Sequence, residues 1–326
     1  MYNFLKFWRL FFLFGNVNKI YGNVNNKEDV DYFIKKSLPD YFIHRANEQG
    51  VFNGRIVVVK STSKGGTDEF TQQDNLFTHV TRGVYNGEVV NRHFINTSIS
   101  RVVIAKKDWS ILLELAKSES IEVVISNTTE AGLVIDEQDQ LTEDCPISFP
   151  AKLLALLYTR WQHFNGDASK GWVVLPTELV PDNGKVLLEL LHTLASKWQL
   201  SNDFISWMTT ANQFCNTLVD RIVPGILTGA EMDHFSEANG YKDDLLISSE
   251  PFALWAIECS NQEAMQKMSF TTTDDRMVVA PSIVKFRELK LRLLNGTHTF
   301  CCAVAILAGF ETVVQAMQDK AFYNFI

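Results

Sequence analysis

Three polar residues stand close together in a leucine-rich, helix-forming stretch: Lys290, Asn295 and His298, within Lys290-Leu-Arg-Leu-Leu-Asn-Gly-Thr-His298. On an α-helical wheel they fall at about 0°, 140° and 80°, so His298 lies between the other two and all three can face one pocket. A lysine in an apolar wall or beside another cation loses part of its basicity, which suits a general acid/base. Asparagine and histidine N–H groups can polarise a carbonyl oxygen as it gains charge. Leu294, at about 40°, falls on the polar side and weakens the pattern. On spacing alone a simpler account stays open: a solvated lysine, a helix interruption at Asn295-Gly296 and a core histidine with its hydrogen bonds satisfied. A glycine inside a helix costs about 1 kcal/mol relative to alanine, so Gly296 asks for a packing or functional reason.

The elements that must position such a site read as α/β. Gly54-Arg-Ile-Val-Val-Val-Lys60 is a β-branched run bounded by turn residues, which predicts a central strand. Asp40–Gly50 reads as the helix before it, with Gly50 at its C-terminal cap. Asp108 is placed to cap a helix over Trp109–Lys117, with Ile111, Leu112, Leu115 and Ala116 on one face, and Ile121–Ser126 follows as a strand. Helix over Pro150–Phe164, strand over Gly171–Pro176 and helix over Asn183–Trp198 continue the alternation of a sheet flanked by helices. Ligands of open parallel sheets bind outside the carboxyl ends of the strands, which draws attention to Asn127-Thr-Thr-Glu-Ala-Gly132. Beyond about residue 200 the character becomes mainly helical, with a β-like patch at Leu245–Glu258 and helix over Pro281–Gly309 and Glu311–Phe325. The domains are therefore expected at 1–200 and 201–326.

Composition narrows the function classes. The 326 residues carry 30 Lys+Arg against 38 Asp+Glu, a net charge of −8, which gives no footprint for nucleic acid. Five cysteines, an odd number with Cys301 and Cys302 adjacent and no C-x-x-C pair, predict reduced thiols in a cytoplasmic protein, with no disulfide framework and no metal site. Leu10–Phe14 is too short for a signal-peptide core, so the apolar start reads as a buried strand or an aberrant beginning, and no stretch predicts a membrane span.

The motif Lys290-x4-Asn295-x2-His298 resembles the signature of the long-chain mannitol dehydrogenase family. Ser126-Asn-Thr-Thr-Glu-Ala-Gly132, Phe214-Cys-Asn-Thr-Leu-Val-Asp-Arg-Ile-Val-Pro224 and Glu250-Pro-Phe-Ala-Leu-Trp-Ala-Ile-Glu258 agree with it, in order. The set most resembles the tagaturonate reductase branch. The resemblance implies a Rossmann-like domain and a helical domain of the 6-phosphogluconate dehydrogenase C-terminal-like kind. It also implies NAD-dependent, metal-independent hydride transfer on a small sugar acid, by a monomer or weak homo-oligomer. Carried over, Lys290 is the general acid/base and Asn295 an oxyanion donor, joined by Asn183 of the Asp182-Asn-Gly184 turn, while His298 orients substrate. Asn127, Thr128 and Glu130 would touch nicotinamide or ribose. Asn216, Asp220, Arg221, Trp255 and Glu258 are the substrate-side candidates, although an Asp220–Arg221 structural ion pair and an apolar strand with one rim acid compete with that reading.

Two departures accompany the resemblance. The family's opening F-G-x-G-x-F-x-R turn, which sets backbone N–H groups against the cofactor pyrophosphate, has no counterpart after Phe14-Gly15. The chain also ends at Ile326, soon after the catalytic helix, where relatives continue. These features predict an incomplete copy with exposed apolar helix surface. They keep in play a remnant or binding protein of the same fold, as well as a fructuronate or mannitol dehydrogenase.

Overall fold

The computed structural model describes residues 9–15, 38–61, 68–128, 132–223, 227 and 229–326. It divides into two compact units, Met1–Pro281 and Ser282–Ile326.

The larger unit is built on six parallel strands: β1 (Arg9–Gly15), β2 (Gly54–Lys60), β5 (Ile99–Ile104), β6 (Ile121–Asn127), β7 (Val173–Pro176) and β8 (Gln213–Phe214). Their spatial order, β5-β2-β1-β6-β7-β8, reverses direction at β1, as in doubly wound dinucleotide-binding sheets. The apolar segment at the start of the chain thus supplies the central strand. Both faces of the sheet are covered, which is why its strands read as near-continuous Val/Ile runs. One face holds Ile56, Val58, Val123 and Ile125 against α1 (Pro39–Glu48) and the small sheet described below. The other holds Val57, Val59, Val124 and Val174. These pack against α3 (Trp109–Ala116), α4 (Phe149–His163), α5 (Asn183–Lys197) and α6 (Asn202–Thr210). Gly50, at φ +69°, follows α1 as the sequence predicts. Asp108 heads α3 but spends its carboxylate on Ile104 N–H instead of a helix N–H, and Ile111 faces solvent.

Between β2 and β5 stand α2 (Asp68–Gln72) and a hairpin, β3 (Phe77–Tyr85) and β4 (Glu88–Asn96), that the helix-strand alternation does not anticipate. Its two-residue turn is Asn86-Gly87, both with positive φ, the backbone that suits right-twisted strands. After β8 come β9 (Thr217–Asp220), α7 (Gly229–Asn239), β10 (Ile247–Ser249), β11 (Leu254–Glu258), α8 (Gln262–Lys267) and β12 (Met277–Ala280). Strand β10 pairs with β3, and β9, β11 and β12 make a three-stranded sheet whose Trp255 and Ile257 join the first core. The unit therefore extends to Pro281, where local character alone places a boundary near 200. Long-range pairing of β8 with β7 and of β10 with β3 makes the difference.

The smaller unit is helical throughout. It comprises α9 (Val284–Leu289), a π-helical turn (Lys290–Asn295), α10 (Gly296–Leu307), α11 (Val313–Gln318) and α12 (Lys320–Phe325). Gly309, at φ +86°, ends α10, and Thr312 and Gln315 form a capping box on α11. Its core is small: Cys301, Ala316 and Phe322. Phe300, Ile306, Leu307 and Val314 stand in solvent. No helix among the described residues is long and apolar enough to cross a membrane.

Candidate functional site

The reversal of strand order at β1 opens a crevice where the carboxyl ends of β1 and β6 meet, and Gly15 pairs with Asn127 there. Residues 16–37, which hold the position of the missing glycine-rich turn, lie outside the described residues, as does Glu130. Asn127 is 5% exposed, and its Oδ1 has no hydrogen-bond partner among the described residues. Its neighbours are tightly held. Glu178, two residues beyond β7, accepts from Ser126 Oγ at 2.9 Å, and from Thr128 N–H and Thr128 Oγ1 at 2.8 Å each. Thr177 donates to the Ser126 carbonyl through both its N–H and its hydroxyl. A Cβ on Gly132 would come within 2.4 Å of Thr128 Cβ and Oγ1, so glycine is required where the loop returns past that side chain. Glu178 is not marked by any motif. Its signal is a single acid just past a buried strand, in Pro176-Thr-Glu178.

Asn183 is held by backbone groups on three sides. Its Nδ2 donates to the carbonyls of Pro176 and Glu178 at 3.0 Å and of Thr217 at 3.1 Å, and its Oδ1 accepts from Thr217 N–H at 2.8 Å. With every N–H engaged by backbone, the amide ties the end of β7, the start of α5 and β9 together and has none left for an oxyanion. The neighbouring Gly184 permits that closure: a Cβ would lie 2.5 Å from the Cys215 carbonyl oxygen.

The substrate-side candidates are engaged similarly. Asn216 donates to Glu258 Oε1 at 2.9 Å and accepts from Lys185 N–H at 3.1 Å, linking the sheet edge to α5. Arg221 is fully buried with its guanidinium 4.4 Å over the Tyr41 ring. Its Nε and Nη2 donate to the Glu250 carbonyl, and burial lowers its pKa to about 10. Trp255 is fully buried against Phe42 and Phe270, a core residue. Asp220 lies beside it on the neighbouring strand, in register with Leu254. Trp255 Nε1 is buried without a hydrogen-bond partner among the described residues.

In the smaller unit the Lys290 helix runs on through Asn295-Gly296 instead of breaking there. Gly296 N–H bonds to the Leu291 carbonyl, five residues back, and a Cβ on Gly296 would stand 3.3 Å from that oxygen. A side chain here would be a tight fit against that oxygen. The wide turn also redraws the wheel. In a π-turn residue i+5 takes the place that i+4 has in an α-helix, so Asn295 lies about 40° from Lys290 instead of about 140°. Three α-helical steps then bring His298 to about −20°, and the three polar groups fan over about 60° of one helix face. Single π-turns within α-helices are frequent at functional sites. Lys290 is half-buried, while Asn295 and His298 are exposed. A mostly apolar cavity of about 460 Å³ in this unit is lined by His298 with Leu294, Cys301, Ala305, Phe310 and Phe322; Lys290 and Asn295 are not in its wall. Among the described residues no cluster of three or more His, Cys, Asp or Glu could hold a metal ion.

A parallel sheet of this strand order, with a buried unpaired acceptor at its switch point, defines a dinucleotide-binding Rossmann fold. The chain belongs to the mannitol dehydrogenase family: the mannitol dehydrogenase Rossmann domain matches residues 38–269 and the mannitol dehydrogenase C-terminal domain residues 282–326. It is 42% identical over 288 residues to an altronate oxidoreductase of Halalkalibacterium halodurans, covering 88% of this chain and 56% of that protein. It is 39% identical over 287 residues to the Bacillus subtilis altronate oxidoreductase, covering 88% and 59%. The chain thus spans somewhat over half the length of these relatives. Among solved structures, a substrate-free D-sorbitol dehydrogenase superposes with TM-score 0.72 at 20% identity, over 96% of this chain and 62% of that one. The Pseudomonas fluorescens mannitol 2-dehydrogenase ternary complex with NAD and D-mannitol gives 0.71 at 21% identity, over 98% and 62%. These likenesses establish the fold.

Proposed function

We propose that the chain acts as an altronate oxidoreductase, interconverting a keto hexuronate (tagaturonate) and its aldonate (altronate) with NAD(H), in the cytoplasm. What supports this reading is 42% identity to an altronate oxidoreductase, together with a π-turn over Lys290–Asn295 that, by wheel geometry, turns Lys290, Asn295 and His298 toward one face. The buried, unpartnered Asn127 Oδ1 at the end of β6 fits a dinucleotide, which brings N–H and O–H donors to that crevice. When bound, the nicotinamide supplies or accepts the hydride. Lys290 exchanges the proton with the substrate oxygen, Asn295 donates a hydrogen bond to that oxygen as charge develops, and His298 orients the sugar acid. Asn183 is left out of this proposed step, since its amide bonds to backbone carbonyls.

The test follows NADH absorbance with the purified chain and, in turn, tagaturonate, fructuronate and fructose. Oxidation of NADH with tagaturonate, faster than with the other two, is the expected result. No oxidation with any of them contradicts the reading.

A further inference from the structure

We propose that Glu178 is the positioning residue of the dinucleotide crevice: by pinning Ser126 and Thr128, it aims Asn127 Oδ1 at an N–H or O–H donor of the bound dinucleotide. The proposal rests on the dinucleotide reading above and adds a residue that no motif marks. Side chains alternate along a strand, so Ser126 and Thr128 share one face of the sheet and Asn127 projects from the other. The three groups on the first face are all donors toward Glu178: a serine hydroxyl, a threonine hydroxyl and a backbone N–H. An ionised carboxylate offers acceptors only, so all three donors find a partner in it. Thr177 fixes the Ser126 carbonyl and Gly132 closes against Thr128, so the backbone on either side of Asn127 is held.

What this clamp presents is an acceptor, 95% buried, with no donor among the described residues. Buried acceptors are nearly always satisfied in folded proteins, and an isolated one is destabilising. This one sits where open α/β sheets receive their ligand. A dinucleotide amide or ribose hydroxyl supplies the missing donor. Glu178 itself touches no ligand in this account; it acts through Asn127.

The experiment is a double-mutant cycle read by NADH fluorescence titration, with circular dichroism to confirm folding. Glu178→Ala and Asn127→Ala should each weaken NADH binding roughly tenfold, the value of about one hydrogen bond. In the Asn127→Ala background, Glu178→Ala should cost no more than about twofold, because its route of action is already gone. Glu178→Gln keeps the side-chain volume and one acceptor, so its loss is intermediate, and it carries the same cycle where Glu178→Ala does not fold. Wild-type affinity in both Glu178 variants, or a loss undiminished by Asn127→Ala, overturns the proposal alone. Failure of the unsubstituted chain to bind NADH overturns the dinucleotide reading and the proposal with it.

Discussion

Two of the chain's Asn-Gly pairs, Asn183-Gly184 at the start of α5 and Asn295-Gly296 at the end of the π-turn, meet opposite fates. Asn183 is buried and gives every polar atom to backbone groups of residues 176, 178 and 217. Asn295 stands exposed. Each glycine allows a close backbone approach, across elements in the first case and within a widened turn in the second. The difference teaches that residues of one motif set divide into those that build the scaffold and those left over for chemistry. Composition does not separate them; hydrogen-bond accounting does.

The comparison breaks most visibly at Asn183. Asn183→Ala leaves the buried Thr217 N–H without its side-chain acceptor and takes one donor from each of the Pro176, Glu178 and Thr217 carbonyls. The first two carbonyls keep Thr217 Oγ1 and Val180 N–H, so the variant should lower unfolding free energy by about 2–3 kcal/mol in urea titration. Asn295→Ala should stay within about 0.5 kcal/mol of wild type in the same titration. An equal loss at the two positions would erase the distinction.

Packing separates the same regions. Leu191, fully buried on α5, should cost about 2–5 kcal/mol when truncated to alanine. Leu307, 88% exposed at the end of α10, should cost less than about 0.5 kcal/mol. Thermal or urea unfolding of the two variants checks both.

A smaller effect comes from His79, buried on β3 with Nε2 2.7 Å from Ser249 Oγ. Burial, with Arg221, His44 and Arg92 nearby, holds its pKa well below 6.5. The unfolded chain takes up a proton as pH drops through 6.5 while the folded one does not, so stability is lost on acidification. The stability advantage of wild type over His79→Gln should shrink below pH 6.5, by at most about 1.4 kcal/mol per pH unit. A pH-independent gap would remove the histidine from this role.

Much of the fold is legible in the sequence because its strands are β-branched runs buried on both faces, such as Gly54–Lys60 and Ile121–Asn127, and its helices carry apolar stripes. The Asn86-Gly87 hairpin was also readable from its turn pair, but it interrupts the helix-strand alternation that organises the rest. The extent of the larger unit was not, because β10 pairs with a strand more than 160 residues earlier and leaves no local trace. At the site, motif spacing names Lys290, Asn295 and His298, but a wheel of 100° per residue spreads them too widely, since it cannot foresee the π-turn. Glu178 and the consumption of Asn183 depend on partners 34 to 52 residues distant.

The most direct test sets Lys290→Ala beside the unsubstituted chain, measuring NADH-dependent reduction of tagaturonate and unfolding free energy on the same preparations. The account predicts that reduction is abolished while stability changes by no more than about 0.5 kcal/mol. Turnover that persists in the folded variant would contradict it.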